Sequence, residues 1–234
     1  VSGARPVETV RVGVAVPAAG SGQRMGGARK PFLELAGEPV LLRALRPFLA
    51  DSRVVAVVVA LADPDAAAPP AWLTGLDARI QVVCGGETRA ESVRRALAAL
   101  PEDLDVVAVH DAARPLVTEE VVARCIDVAA AGGGGGGGCP VVDTMKQVDG
   151  EGRIVATPDR GRIWHAHTPQ VFPAGALQRA YQGDLAGATD DASLVERGGL
   201  RVRMVDGGPA NLKVTRAGDL ALAEAILRNR EGRR

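Results

Sequence analysis

Two nearly continuous apolar runs, "VRVGVAV" at residues 10–16 and "VVAVVVAL" at residues 54–61, constrain this chain more than anything else in it. A strand solvated on one face alternates apolar and polar residues, whereas a β-branched run without alternation needs cover on both faces. "RIQVV" (79–83) and "DVVAVH" (105–110) have the same character. Between and after them, "PVLLRALRPFLA", "TRAESVRRALAAL" and "TEEVVARCIDVAAA" carry helical spacing, the second opening on a Thr88-x-x-Glu91 capping-box pattern. This alternation predicts an α/β fold: a mostly parallel sheet flanked by helices. Ligands in such folds collect outside the carboxyl ends of the strands, which directs attention to the loops after Val16, Val83 and His110.

Past residue 131 the rhythm breaks. The seven glycines Gly132 to Gly138 read as a flexible connector ahead of the next strand. In "CPVVDTMKQVDGEGRIVATPDR" two strand-like arms flank Asp149-Gly150-Glu151-Gly152, which has hairpin-turn composition. A projecting β-hairpin arm over about residues 139–163 is the expectation. "RVRMV" and "NLKV" return to the strand pattern, and a closing helix is expected near 216–229. No internal repeat or firm boundary divides residues 1–234, so they read as a single domain.

Lysine plus arginine and aspartate plus glutamate number 28 each, so no bulk positive charge invites nucleic acid or an anionic membrane. Any anion site must be local. Cys84, Cys125 and Cys139 are scattered without C-x-x-C spacing, and His110, His165 and His167 are too few for a zinc cluster. A sparse, odd cysteine count suits a reducing cytosol. No apolar run approaches the ~20 residues that span a bilayer, and the first residues lack the apolar core of a signal peptide. A soluble, cytoplasmic protein is expected.

The local anion site is offered by "AVPAAGSGQRMGGARKPFLEL" (15–35). From Val10 to Leu33 there is no acidic residue, while Arg11, Arg24, Arg29 and Lys30 are present. Gly20, Gly22, Gly26 and Gly27 let backbone N–H groups face a ligand without hindrance from Cβ atoms. This describes a polyphosphate cradle, with an ordinary glycine-rich turn bearing solvated arginines as the other reading. It is not a P-loop, since Ala28 stands at the lysine position, nor a dinucleotide motif, since Met25 stands where the third glycine belongs.

"PAAGSGQRM…K" resembles the signature of nucleotidyltransferases that join a nucleoside triphosphate to a sugar phosphate. "GGETRAESV" (85–93), "HDAARP" (110–115), "DTMK" (143–146), "WHAHTPQ" (164–170), "TDDAS" (189–193) and "NLKVT" (211–215) then look like the successive motifs of the 2-C-methyl-D-erythritol 4-phosphate cytidylyltransferase family. The resemblance spans about residues 10 to 229. It implies a Rossmann-like nucleotidyltransferase domain, a homodimer through the hairpin arm, and Mg²⁺ as cofactor. The implied reaction condenses CTP with methylerythritol phosphate in non-mevalonate isoprenoid biosynthesis and releases pyrophosphate. Two anions must meet, so cationic clamps and positioning are the expected devices.

By resemblance Arg24, Lys30 and Lys213 are catalytic, the first two on the triphosphate. Ala18, Ala19, Gly20, Gly86, Glu87 and Ser92 bind CTP. Asp111, Arg114, Thr144, Arg160 and Thr168 contact the second substrate, and Lys213 joins Arg114 around its phosphate. Asp111 is left open between ligating the metal and orienting a substrate hydroxyl. The resemblance also implies an arm exchanged across the dimer, so that some arm residues serve the partner's site. Pro31 replaces a glutamine frequent in the family, and His167 stands where an apolar residue is common. His110 reads as structural, and Asp190 and Asp191 as helix caps. A fused cyclase domain, known in some relatives, is not expected. The alternatives are a cytidylyltransferase for another polyol phosphate, such as ribitol 5-phosphate, and a nucleotide-binding regulator without turnover.

Overall fold

The computed structural model of the chain describes residues 10–20 and 29–232. In chain order its elements are β1 (Val12–Pro17), β2 (Glu34–Leu35), β3 (Glu38–Pro39), α1 (Val40–Leu49), β4 (Val54–Leu61), α2 (Asp63–Ala67), α3 (Ala71–Thr74) and β5 (Ile80–Cys84). There follow α4 (Arg89–Ala99), β6 (Val106–Val109), α5 (Glu119–Ala130), β7 (Gly134–Pro140), β8 (Gln147–Val148), β9 (Ile154–Ala156) and β10 (Trp164–Pro173). The chain closes with α6 (Ala174–Gln182), α7 (Asp191–Arg197), β11 (Val202–Asp206) and α8 (Ala217–Glu231).

A seven-stranded sheet in the order β11-β7-β10-β6-β1-β4-β5 forms the frame. The four apolar runs are its parallel half: β1 lies between β4 and β6, and β5 follows β4. Successive side chains point to opposite faces, so each run feeds two cores. Val12, Val14, Val16, Val57 and Val59 pack with Leu41, Leu45 and Phe48 of α1 and Val122 and Ile126 of α5. Ala15, Val58 and Ala60 face the other way, against Val93, Ala96 and Leu97 of α4 and Leu177 of α6. The Thr88–Glu91 capping box that starts α4 is present in both directions.

Two expectations fail. The glycine run is no connector: only Gly132, at φ +93°, and Gly133 lie in the turn after α5. Gly134 to Gly138 form β7, buried and paired on both sides, parallel to β11 and antiparallel to β10. The physical reason is the close approach of α5 at Gly135 and of β10 at Gly138. A Cβ on Gly135 would stand 2.6 Å from the carbonyl oxygen of Cys125, and one on Gly138 would stand 2.5 Å from that of His165. Side chains are excluded at Gly135 and Gly138, and ladder hydrogen bonds replace the β propensity that glycine lacks. "NLKV", expected as a strand, is instead loop outside any ladder. Strand β10 is antiparallel to β6 and β7. Its register breaks between Ala166 and Gln170, which takes Thr168 out of the ladder.

The arm is present. β8 and β9 pair as an antiparallel hairpin whose side chains are exposed, Val148 and Ile154 among them.

His110 is fully buried against the Phe48 ring, with centroids 5.0 Å apart. Its Nε2 faces the Arg114 carbonyl at 3.2 Å, so that nitrogen carries the proton and donates. Burial lowers its pKa from 6.5 to about 4. In that window the unfolded chain binds the extra proton, so stability rises with pH and is lost as pH falls from 6.5 toward 4. Urea unfolding should therefore show a loss of about 2 kcal/mol between pH 7 and pH 5 attributable to this ring. His110→Gln, which keeps a donor for Arg114, should flatten that dependence.

The β7 packing is tested by a pair of variants. Gly135→Ala should destabilise by about 1–3 kcal/mol through overpacking against α5. Gly136→Ala, whose Cβ would meet nothing nearer than 3.6 Å, should be neutral or slightly stabilising. Equal midpoints for the two in urea would refute this account.

Candidate active site

At the carboxyl ends of β1, β5 and β6 the loops enclose a cavity of about 280 Å³. Pro17, Ala18, Ala19 and Gly20 line it from the first loop, with Lys30 and Pro31 where the chain re-enters. Gly86, Glu87, Thr88, Arg89 and Ser92 come from the β5–α4 turn, and Asp111, Ala112 and Ala113 follow β6. Lys213, Val214 and Thr215 precede α8. Arg24 lies outside the described residues.

The first loop leaves the sheet with the Ala18 N–H still donating to the Ala60 carbonyl at 2.8 Å, which fixes the direction of departure. Lys30 opens a 3₁₀ turn, Lys30–Phe32, with Pro31 at its second position. First-turn amides have no partner within a helix, so Pro31 gives up nothing there, and Lys30 keeps its place on the cavity wall.

The β5–α4 turn is shaped by Ser92. Its Oγ accepts from the Gly86 N–H at 3.1 Å and donates to the Thr88 carbonyl at 3.0 Å. The first loop and this turn approach so closely that a Cβ on Gly85 would lie 2.5 Å from that of Ala19. Glycine at 85 is therefore a steric requirement.

The charged centre is Asp111, buried at the end of β6. Its Oδ1 accepts from Arg89 Nε at 2.8 Å and its Oδ2 from Lys213 Nζ at 2.7 Å. Its backbone N–H donates to Thr168 Oγ1 at 3.0 Å. Burial alone would raise the carboxyl pKa; the Arg89 and Lys213 charges overcome it and hold Asp111 well below the usual carboxylate range. Lys213 is placed by Val214, whose N–H donates to the Ala113 carbonyl at 2.8 Å, and by Asn211, whose Nδ2 donates to the Thr168 carbonyl at 2.9 Å.

Beyond Lys213 a second, more open cavity of about 460 Å³ is lined by Arg114, Cys139, His165, Ala166, His167, Pro209, Leu212 and Lys213. Arg114 Nη1 donates to the Asn211 carbonyl at 2.7 Å, while its buried Nε has no hydrogen-bond partner. Lys213 thus belongs to both cavities. His167 sits on the second, its pKa lowered to about 4 by burial and by the Arg114 charge.

Ala18, Ala19, Gly20, Lys30, Gly86, Glu87, Ser92, Asp111 and Lys213 come together around the first cavity, and Arg114 around the second. Thr168 lies beneath, its hydroxyl engaged by Asp111. Thr144 and Arg160 stay on the exposed arm and line neither cavity; Arg160 Nη1 donates to the Val142 carbonyl at 2.7 Å. Arg89 was missed, although it stands inside "GGETRAESV". Its partners are remote in sequence, and no local spacing signals them. Asp190 caps α7 by accepting from the Ser193 N–H at 3.0 Å, but Asp191 does not cap; it turns inward to Arg89. Among the described residues no three His, Cys, Asp or Glu side chains gather to hold a metal ion. Both Asp111 oxygens already face cations, so these residues do not build a resident metal site. No described helix is long and apolar enough to cross a membrane.

The family model for 2-C-methyl-D-erythritol 4-phosphate cytidylyltransferase (IspD) matches residues 12–229. A relative of that name from Symbiobacterium thermophilum is 46% identical over 222 residues, 93% of either chain. Another from Streptomyces coelicolor is 44% identical over 242 residues, 98% of this chain and 88% of its own. The structure superposes on 4-diphosphocytidyl-2C-methyl-D-erythritol synthase from Anaerococcus prevotii with TM-score 0.85 at 26% identity, covering 95% of this chain and 98% of that one. With the Thermus thermophilus cytidylyltransferase the TM-score is 0.76 at 34% identity, covering 94% and 98%. This chain belongs to the 2-C-methyl-D-erythritol 4-phosphate cytidylyltransferase family.

Proposed function

We propose that the two cavities are the two halves of one reaction site, CTP in the first and methylerythritol phosphate in the second. A phosphate oxygen of methylerythritol phosphate attacks the α-phosphorus of CTP in line. The bond from that phosphorus to the β-phosphate oxygen breaks, and the products are 4-diphosphocytidyl-2-C-methyl-D-erythritol and pyrophosphate. The observation that carries this reading is Lys213, whose side chain lines both cavities and is anchored on Asp111 at 2.7 Å. An ammonium at that junction faces both anions at once and stabilises the charge that builds between them.

Lys30, with Arg24 from the same sequence motif, binds the triphosphate in this scheme. The Gly86–Thr88 turn reads cytosine through its backbone, and Ser92 holds that turn in shape. Asp111 stays ionised at neutral pH and aims Lys213. Arg114, which lines the second cavity, takes the phosphate of the second substrate. Mg²⁺ belongs to the proposal as part of the nucleotide substrate, where it would neutralise charge on the triphosphate. The setting proposed is the cytoplasm.

The proposal extends to a homodimer built through the arm. Val142, Val148, Ile154 and Val155 are exposed, apolar surface that an isolated hairpin cannot bury on its own. Thr144 and Arg160, on the same arm, would then complete the second cavity of a partner copy.

The reaction is tested by pyrophosphate release with CTP and Mg²⁺, comparing methylerythritol 4-phosphate with ribitol 5-phosphate. Release only with the first is expected. Release only with ribitol phosphate would overturn the substrate. CTP binding without release from either would leave a regulator. Lys213→Ala and Arg24→Ala should each lower kcat/KM by roughly 10²–10³.

The arm is tested by mixing. Arg160→Ala and Lys213→Ala enzymes, each nearly inactive, should regain activity when co-refolded. One protomer's intact arm then meets the other's intact Lys213. No recovery from a confirmed mixed dimer would place Arg160 in its own protomer's site or in none.

A further inference from the structure

We propose that Arg89 is the positioning residue of this site, a clamp that fixes the Asp111–Lys213 pair by tying it to the scaffold of α6 and α7. The inference rests on the reaction proposed above. The Arg89 guanidinium reaches in two directions. Its Nη1 and Nη2 donate to both oxygens of Asp191, at 3.0 and 2.7 Å, and its Nε donates to Asp111 Oδ1 at 2.8 Å. Asp191 is fully buried and also accepts from the Tyr181 hydroxyl on α6. A buried carboxylate that receives a bidentate guanidinium and a phenol has one orientation available. It therefore sets the plane of Arg89, and that plane sets the direction of Nε. Asp111 is then held at one oxygen from α4, at its backbone by Thr168, and at its other oxygen by Lys213.

The alternative is that Arg89 merely neutralises Asp191. Its third hydrogen bond argues otherwise. A guanidinium recruited only to satisfy Asp191 has no need of Asp111, and Asp111 already has Lys213 as a counter-charge. The Tyr181–Asp191–Arg89–Asp111–Lys213 chain runs from the core of one helical layer to the junction of the two cavities. Every link is a hydrogen bond, and most join ionised groups. Lysine cannot replace Arg89 here, since an ammonium cannot present a fork to one carboxylate and a third donor to another.

The experiment is steady-state kinetics on the full chain with CTP and methylerythritol phosphate, with thermal unfolding recorded for each variant. Arg89→Gln should lower kcat by about 10–100-fold, the loss expected for charge-assisted hydrogen bonds. Asp191→Asn should lower it by about 10-fold, although that residue lines neither cavity. KM for CTP should stay within about twofold. In an Asp111→Asn background Arg89→Gln should cost less than about twofold more, because the clamp no longer has anything to hold. Arg89→Lys should restore only part of the loss.

Additive losses for Arg89→Gln and Asp111→Asn would overturn the inference, as would a parallel rise in KM for CTP or full rescue by lysine. Should Asp191→Asn fail to fold, Tyr181→Phe reads the same link, with about a threefold loss of kcat expected and unchanged kcat overturning it. A wild-type chain that does not turn over would refute the reaction but not silence this test. Methylerythritol phosphate is then titrated into enzyme loaded with a CTP analogue carrying a methylene bridge between the α- and β-phosphorus. Weaker binding to Arg89→Gln, lost in the Asp111→Asn background, supports the clamp, and equal binding refutes it.

Discussion

A carboxylate buried at the end of a strand is costly to keep ionised, and the organisation of this site follows from how Asp111 is kept so. Desolvating a charge costs several kcal/mol unless partners with good geometry replace the lost water. Asp111 accepts hydrogen bonds from two cations, one on each oxygen, and they are remote in sequence: Arg89 from the first turn of α4 and Lys213 from the segment before α8. The Arg114 guanidinium, 3.9 Å away, is a third positive neighbour. Removing both hydrogen-bonded cations would leave a buried charge without adequate compensation, a loss of about 3–5 kcal/mol or more. The sheet must therefore deliver the β5–α4 turn, the β6 loop and the 211–215 segment to one place. The same ion pairs that tie the loops together also line the first cavity.

The delivery depends on β7 and β10. Strand β10 runs antiparallel between β6 and β7, and its irregular stretch lets Thr168 point its hydroxyl at the Asp111 N–H rather than into the ladder. The Thr168 carbonyl in turn accepts from Asn211, which starts the segment carrying Lys213. Were β7 made of residues with side chains, α5 would be pushed off the sheet at Gly135, where only 2.6 Å separates an added Cβ from the Cys125 carbonyl oxygen. Glycine normally weakens a strand. Here it permits close helix–sheet contact, and hydrogen bonding to β11 and β10 supplies what side chains would otherwise contribute.

These two features also mark the boundary of what could be read from sequence. The parallel strands were legible because "VRVGVAV" and "VVAVVVAL" admit hardly any arrangement except a sheet covered on both faces, and Thr88 and Glu91 announce the helix that they cap. Gly134 to Gly138 were not legible, since a polyglycine run has no pattern and its strand character comes entirely from its neighbours. "WHAHTPQVFP" hid a strand for a related reason: a proline and two histidines break the apolar run. At the site, residues whose chemistry is local stood out, such as the small Ala18, Ala19 and Gly20 or the cation at Lys30. Arg89 did not, because its significance lies in pairing with residues 22 and 102 positions away.

The neutral balance of the chain acquires a meaning in this light. A site for two anionic substrates needs cations, yet cations crowded together without substrate would repel one another and destabilise the fold. In this structure Arg89 and Lys213 are set against Asp111 and Asp191, so the positive groups are gathered and oriented before any anion arrives. Preorganised donors of this kind need little rearrangement when charge develops in the transition state, which is the condition under which electrostatic stabilisation is most effective. In the proposed reaction, the acidic residues buried behind the cations are part of the device for binding anions. A lysine or arginine cluster without them would hold substrate and transition state alike, and would bind without accelerating.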